Sequence, residues 1–381
     1  MRPVYMDHNA STALHPRVLD AMLPYMRSLP GNPSSPHWAG RRLRDAIEKA
    51  RCQVARLVDC DPGEVVFTSC ATEANNMAIK GVAASKGGQG RHIITSIVEH
   101  PSVLMPCYSL ESLGFEITCI DVDREGRIDL KALENAFRKD TILVSIMHAN
   151  NETGTIFPID AIGNLTARYG IYLHCDAVQS VGKIPVDFKA YKIDLLALSG
   201  HKIYGPQGVG ALIMRKGVKC RALLHGGAQE QNRRAGTENV AGIVGLGEAA
   251  HMALEDLATE SARQKHLRDD LEEGIMANIP GVRRNGDPDH RLPNTTNLSF
   301  LDVDSGDLVA ALDDAGIAVS SVSACSSGAL KTSRVLEAMG LTGEARFGTL
   351  RFSLGRDNDR PDVRYVLDVL PDIVRRLRSR V

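Results

Sequence analysis

Two residues in this 381-residue chain have the types and setting for imine chemistry: Lys202 and Asp176. Lys202 closes the run DLLALSGHK, in which an apolar segment (195–198) stops at a small polar corner. A glycine- and proline-bearing loop (205–210) then leads to a second apolar segment, 211–214. The pattern predicts two buried strands flanking one lysine. Desolvation there lowers an ammonium's pKa and frees the amine as a Schiff-base nucleophile. A solvated loop lysine is the bland alternative, and from this run alone the two are even. Asp176 breaks the tie. It stands at the polar lip of GIYLHCDAV, with Gln179 three residues on. A pyridoxal phosphate site needs a lysine for the imine and an acid to keep the pyridine nitrogen protonated, so that the ring can accept electrons.

Further groups gather at other strand ends. The run VVFTSCATEANN reads as a strand, a small polar turn and a helix start, a corner whose free backbone N–H groups suit a phosphate, with Thr72 as the best-placed hydroxyl. A plain helix cap is the alternative. His100 follows the strand HIITSIV, and Asn150, Asn151 and Glu152 follow TILVSIM. Ligands collect at the carboxyl ends of strands in α/β proteins, which raises the odds that these residues act on one. Thr237 precedes a long helical region and reads as either a cap or a phosphate ligand. Arg351, on the strand of LRFSLGR, carries the planar guanidinium that clamps an α-carboxylate, with salt-bridge duty as its alternative. Cys325 lies among serines, alanines and a glycine, a setting that makes it a candidate nucleophile or an incidental surface thiol.

The elements that must position these groups follow a βαβ rhythm. Junctions at Thr68, Val98, Met147, Cys175 and Leu198 alternate with helical patterns such as 159–169, which predicts a mostly parallel sheet. Helices are expected over 16–26, over 41–58 with its arginines solvated, from about 240 to 277, after Ser305 as cap, and over 363–377. A formal net charge of −1 and the lack of a basic run interleaved with aromatics exclude a nucleic-acid surface. No 18-residue apolar stretch and no signal-like start occur, so the expected location is cytoplasmic, with no membrane partner. Eight cysteines without a C-x-x-C pair are expected to be mostly reduced and buried. An NAD site is disfavoured because no G-x-G-x-x-G opens a helix after the first strand.

The runs DHNAST, GNPSSPH, FTSCATEANNMAIKG, IVEHPSV, ANNETG, HCDAVQSVGKIPVDF, SGHKIYGPQGVGAL, RRAGTEN, SACSSG and RFSLGR appear in order over nearly the whole chain. Together they resemble the cysteine desulfurases of the iron–sulfur-cluster and nitrogen-fixation type, fold-type I pyridoxal phosphate enzymes of the class V aminotransferase group. The resemblance implies a large domain, 13–250, with a mostly parallel sheet flanked by helices. It implies a smaller α+β domain formed by 1–12 and 251–381, which carries the catalytic cysteine loop.

Residue by residue, the resemblance makes Lys202 the internal aldimine and the base for the Cα proton, Asp176 the partner of the pyridine nitrogen and Gln179 that of the ring hydroxyl. His100 stacks on the ring and moves protons. Ala71, Thr72, Ser199 and His201 hold the phosphate, joined by Thr237 from the second subunit of a homodimer. Asn151 and Arg351 hold the carboxylate of L-cysteine. Cys325 takes the sulfur as a persulfide, passes it to an iron–sulfur scaffold or other acceptor protein, and serves as a transient [2Fe-2S] ligand. Val322 and Cys70 stand where the family usually has glycine, and the chain lacks the longer tail of some members. A selenocysteine lyase or another aminotransferase-group enzyme would use the same lysine and aspartate, and a non-catalytic assembly partner would not need them.

Overall fold

The computed structural model describes residues 3–321, 333–341 and 347–379. A short strand β1 (Val4–Tyr5) is followed by helices α1 (Pro16–Arg27) and α2 (Trp38–Leu57). Then come β2 (Val65–Thr68), α3 (Ala71–Lys86), β3 (His92–Ser96), α4 (Pro101–Glu111) and β4 (Glu116–Ile120). Strands β5 (Thr141–Ser145), β6 (Tyr172–Asp176), β7 (Leu195–Ser199) and β8 (Gly210–Met214) complete a seven-stranded sheet in the order β2-β8-β7-β6-β5-β3-β4. β8 alone runs opposite to the other six strands of this sheet. The carboxyl ends of β2, β3, β5, β6 and β7 therefore lie along one edge.

The sequence explains why this sheet is central. Its inner strands carry buried apolar residues in succession, and these enter opposite cores: Ile94, Val144 and Leu196 on one face, Ile93, Leu143 and Leu195 on the other. A sheet buried on both faces needs that composition.

A second core belongs to the antiparallel sheet β12-β13-β10-β9, built from β9 (Val282–Asn285), β10 (Thr295–Leu301), β12 (Ser320–Ser321) and β13 (Phe347–Ser353). β11 (Ile317–Ala318) pairs in parallel with β1, so Val4 and Met6 pack in this second core. The helix Val240–Asn278 spans both: Met252 and Ala253 join the first core, Leu267, Leu271 and Ile275 the second.

Four expectations change. Arg51 is buried rather than solvated, because Glu230 pairs with it at 2.8 Å. Asp304, not Ser305, caps the helix 305–314, its side chain accepting from the Gly306 and Asp307 N–H groups. Asn239 caps the long helix, which removes the cap reading of Thr237. Of the seven described cysteines, all free thiols, only Cys60, Cys107 and Cys175 are buried; the other four are half-buried.

Candidate active site

The edge of strand ends opens into a cleft of about 360 Å³. Ala71, Thr72, His100, Asn151, Asp176, Gln179, Ser199, His201, Lys202 and Arg351 all line it. Sequence positions 280 apart thus meet because β2, β3, β5, β6 and β7 end together and β13 closes from the second sheet. Thr237 is exposed and does not line this cleft. Cys325 and Val322 lie outside the described residues.

Lys202 leaves β7 through a single 3₁₀ turn, Gly200–Lys202, and donates from Nζ to the carbonyls of Asn9 at 2.5 Å and Ala10 at 2.7 Å. Burial, with the Arg351 charge nearby, pushes its pKa down to about 8. That puts about a tenth of the lysine in the free-amine form at pH 7, against well under ~0.1% for an ordinary lysine, which favours imine formation. His201 is pushed down to about 4 by burial and the Lys202 charge, so it meets the cleft neutral.

Asp176 closes β6 and is buried. Its Oδ2 accepts from Asn75 Nδ2 at 2.8 Å and its Oδ1 from the Val178 N–H at 3.1 Å. Neutral donors hold the carboxylate, so its charge stays available to a cationic group in the cleft. Gln179 donates from Nε2 to the Asn9 carbonyl at 3.0 Å, and the buried Lys183 fixes its Oε1 at 2.8 Å. His100 caps α4, its Nδ1 accepting from the Ser102 N–H at 3.1 Å. Burial of that edge lowers its pKa, although the ring is exposed on its cleft side.

At the opposite corner α3 begins with Cys70 as N-cap, which makes no side-chain capping bond. The first N–H groups of α3 therefore face the cleft without a capping oxygen, the local chemistry of an anion site. Cys70 adopts φ −174°, plain extended backbone, so its side chain imposes no strain where the family favours glycine. The close approach falls instead to Gly210, where a Cβ would sit 2.9 Å from the Cys70 carbonyl carbon and 3.1 Å from the Ala71 nitrogen.

Arg351 is almost fully buried and already paired: one terminal nitrogen meets Asp7 at 2.6 Å and the other the Asn151 carbonyl at 2.9 Å, while Nε has no partner among the described residues. Sequence reasoning gave no role to Asp7, Asn9, Asn75, Ser102 or Lys183. All five lie within the family motifs, but what singles out Asn9 and Lys183 is contact across more than 140 positions.

These residues fit pyridoxal phosphate: an uncapped helix start for an anion, a buried carboxylate with neutral partners for a pyridine nitrogen, and a lysine with lowered pKa between them. The sequence profile of the aminotransferase class-V family matches residues 4–366. A protein of Dictyoglomus turgidum named cysteine desulfurase IscS is 50% identical over 99% of this chain and 96% of its own length. One from Trichormus azollae named cysteine desulfurase is 48% identical over 100% and 94%. Among solved structures, a NifS-like protein superposes with a TM-score of 0.93 at 38% identity, covering 98% of this chain and all of its own. SspA in complex with cysteine superposes with a TM-score of 0.81 at 37% identity, covering 92% and 98%. By these likenesses the chain belongs to the aminotransferase class-V family, in its group of cysteine desulfurases.

Proposed function

We propose that the chain converts L-cysteine to L-alanine and transfers the sulfur to Cys325. The observation that carries this reading is one cleft holding Lys202, with its pKa near 8, together with buried Asp176, in a chain half identical to a cysteine desulfurase. When bound, pyridoxal phosphate supplies the sink for the electron pair left at Cα. Lys202 anchors the cofactor and moves the Cα proton. Asp176 holds the nitrogen edge, Gln179 the ring hydroxyl, and His100 covers the ring face. Ala71, Thr72, Ser199 and His201 hold the phosphate, and Arg351 with Asn151 holds the substrate carboxylate.

Cys325 acts as thiolate on the substrate sulfur. A sulfur–sulfur bond forms, the Cβ–sulfur bond breaks, and protons return to carbon, so cysteine plus thiol gives alanine plus persulfide. A scaffold or other acceptor protein then takes the sulfur for iron–sulfur cluster assembly, and a [2Fe-2S] cargo bound transiently at Cys325 belongs to that transfer. The exposed position of Thr237, away from its own cleft, supports a homodimer in which it serves the second copy's phosphate. Exposed Leu19, Met26 and Trp38 on α1 and α2 supply apolar surface for such contacts. The two cores support a division into 13–250 and 1–12 with 251–381, with Met252, Ala253, Val335, Leu336 and Met339 leaning on the first core. A cytoplasmic location is consistent with the described helices, none of which is long and apolar enough to cross a membrane.

The test is to follow alanine and sulfide together from L-cysteine and a reducing thiol, for the native protein and Cys325→Ala. Equal amounts of both from the native protein, lost in the variant, are expected. If the variant releases both as fast as the native chain, Cys325 is not the sulfur acceptor.

A further inference from the structure

Behind the cleft, the residue at the nitrogen edge and the residue at the ring face are joined by a hydrogen-bonded chain whose donors point outward from Asn75 to both ends. Asn75 is fully buried on α3. Its Nδ2 donates to Asp176 Oδ2 at 2.8 Å and to Ser102 Oγ at 2.9 Å. Ser102 Oγ lies 2.7 Å from His100 Nδ1, and the Ser102 backbone N–H reaches the same nitrogen at 3.1 Å.

The chemistry of each atom fixes the direction. The Asp176 carboxylate accepts on both oxygens, so the Asn75 nitrogen must be the atom beside it. That nitrogen can only donate, so Ser102 Oγ accepts from it and turns its own hydrogen to His100. A backbone N–H also can only donate, so His100 Nδ1 receives two hydrogen bonds and carries no proton. In the neutral ring the hydrogen then sits on Nε2.

We propose that Asn75 and Ser102 are positioning residues that lock His100 as the Nε2–H tautomer, so that it meets the cleft as a proton donor and not as a base. This rests on the desulfurase reading for its purpose, but the tautomer itself does not depend on it. The same chain ties the ring-face group to Asp176, so the two partners of the cofactor keep one spacing. The charged groups facing His100 are Asp176, Lys202 and Arg334, the last held by the Glu99 carbonyl at 2.7 Å.

The test uses the full-length holoenzyme, and the same chain stripped of cofactor, labelled with [15N]histidine and assigned through His100→Gln. The native His100 is expected to show an unprotonated Nδ1 and a protonated Nε2. In Ser102→Ala its titration midpoint should rise by about one pH unit, because a hydrogen bond to the neutral form is lost. Ser102→Thr keeps the hydroxyl and should restore it. Asn75→Ala should move it the same way, and in both alanine variants the kcat for alanine release should fall about tenfold with KM little changed. A native His100 protonated at Nδ1, or present as an even mixture of tautomers, overturns the proposal without any variant. So do midpoints in both variants within about 0.2 unit of native, too small for a lost hydrogen bond. If the native protein holds the stated tautomer yet makes no alanine from cysteine, the functional reading fails and the positioning role stands.

Discussion

The two walls of the cleft are built differently. On the sheet wall, the phosphate corner, His100, Asp176 and Lys202 each sit at the end of a strand and are held mainly by backbone groups and neutral amides. On the opposite wall, Asn9 and Arg351 come from the first and last parts of the chain and both donate to the Asn151 carbonyl, with Asp7 paired to Arg351. Asn9 N–H donates to Ser353 Oγ at 2.9 Å, Asn9 Nδ2 to Thr295 Oγ1 at 2.9 Å, and Lys183 Nζ and Asn294 Nδ2 both donate to Asn9 Oδ1. The sheet wall is made by local chain direction. The other is made by a buried polar network, and such networks lose more than one contact when one member goes.

The sharpest break is expected on the sheet wall. Lys202→Ala should lower alanine formation by at least about 10³-fold, since it removes both the anchor and the proton carrier. Single-turnover assays at saturating cysteine check this, and retention of a tenth of the activity would move the proton to another residue. The same lysine predicts a stability signature in cofactor-free protein. Between about pH 8 and 10.5 folded Lys202 has shed its proton while the unfolded chain keeps it, so the unfolded state binds more protons and stability rises with pH. Lys202→Met should remove a rise on the order of 3 kcal/mol across that window. Lys183, whose pKa burial also lowers well below the ordinary value, keeps its own share of the slope. Urea melts at either end of the window decide it.

On the network wall, Arg351→Lys should raise the KM for cysteine about 100-fold with a smaller effect on kcat, because a point charge cannot replace the planar fork. Asn9→Ala is the sharper probe of the comparison. It leaves the carbonyl that receives Lys202 but cuts the side-chain links to Thr295, Asn294, Asn151 and Lys183. An increase in KM of about tenfold, together with a lower melting temperature, is expected from losing buried hydrogen bonds. A fall in kcat alone would mean that Asn9 serves the sheet wall instead.

The same contrast explains what could be read in advance. Lys202, Asp176, His100 and Thr72 were legible because strand-end placement is a local pattern, and the parallel sheet followed from apolar runs such as 195–198 and 141–144. The Arg51–Glu230 pair was not, since a basic helix face reads as solvated until a carboxylate 179 positions away is known to meet it. Ser305 and Thr237 looked like caps, but Asp304 and Asn239 satisfy the helix starts, a choice between neighbours that depends on backbone angles. Asn75 was invisible for a different reason: it sits within a helix whose other buried residues are mostly apolar, and only its two partners, from β6 and α4, reveal its role.

The smallest expected effect tests whether the two walls are electrically one. Asp7 pairs with Arg351, and its charge also favours the ammonium form of Lys202, against burial and the Arg351 guanidinium. Asp7→Asn removes that negative charge and leaves the positive one. The pKa of Lys202 should then move further down from about 8, by a few tenths of a unit for a partly screened charge. In cofactor-stripped protein this is read as the pH midpoint for capture of added pyridoxal phosphate, followed by the visible absorption of the bound form. A downward shift means that the network wall tunes the lysine of the sheet wall as well as holding the substrate carboxylate. An unmoved midpoint with a changed KM for cysteine means that Asp7 acts on Arg351 alone, and the walls divide cofactor and substrate cleanly between them.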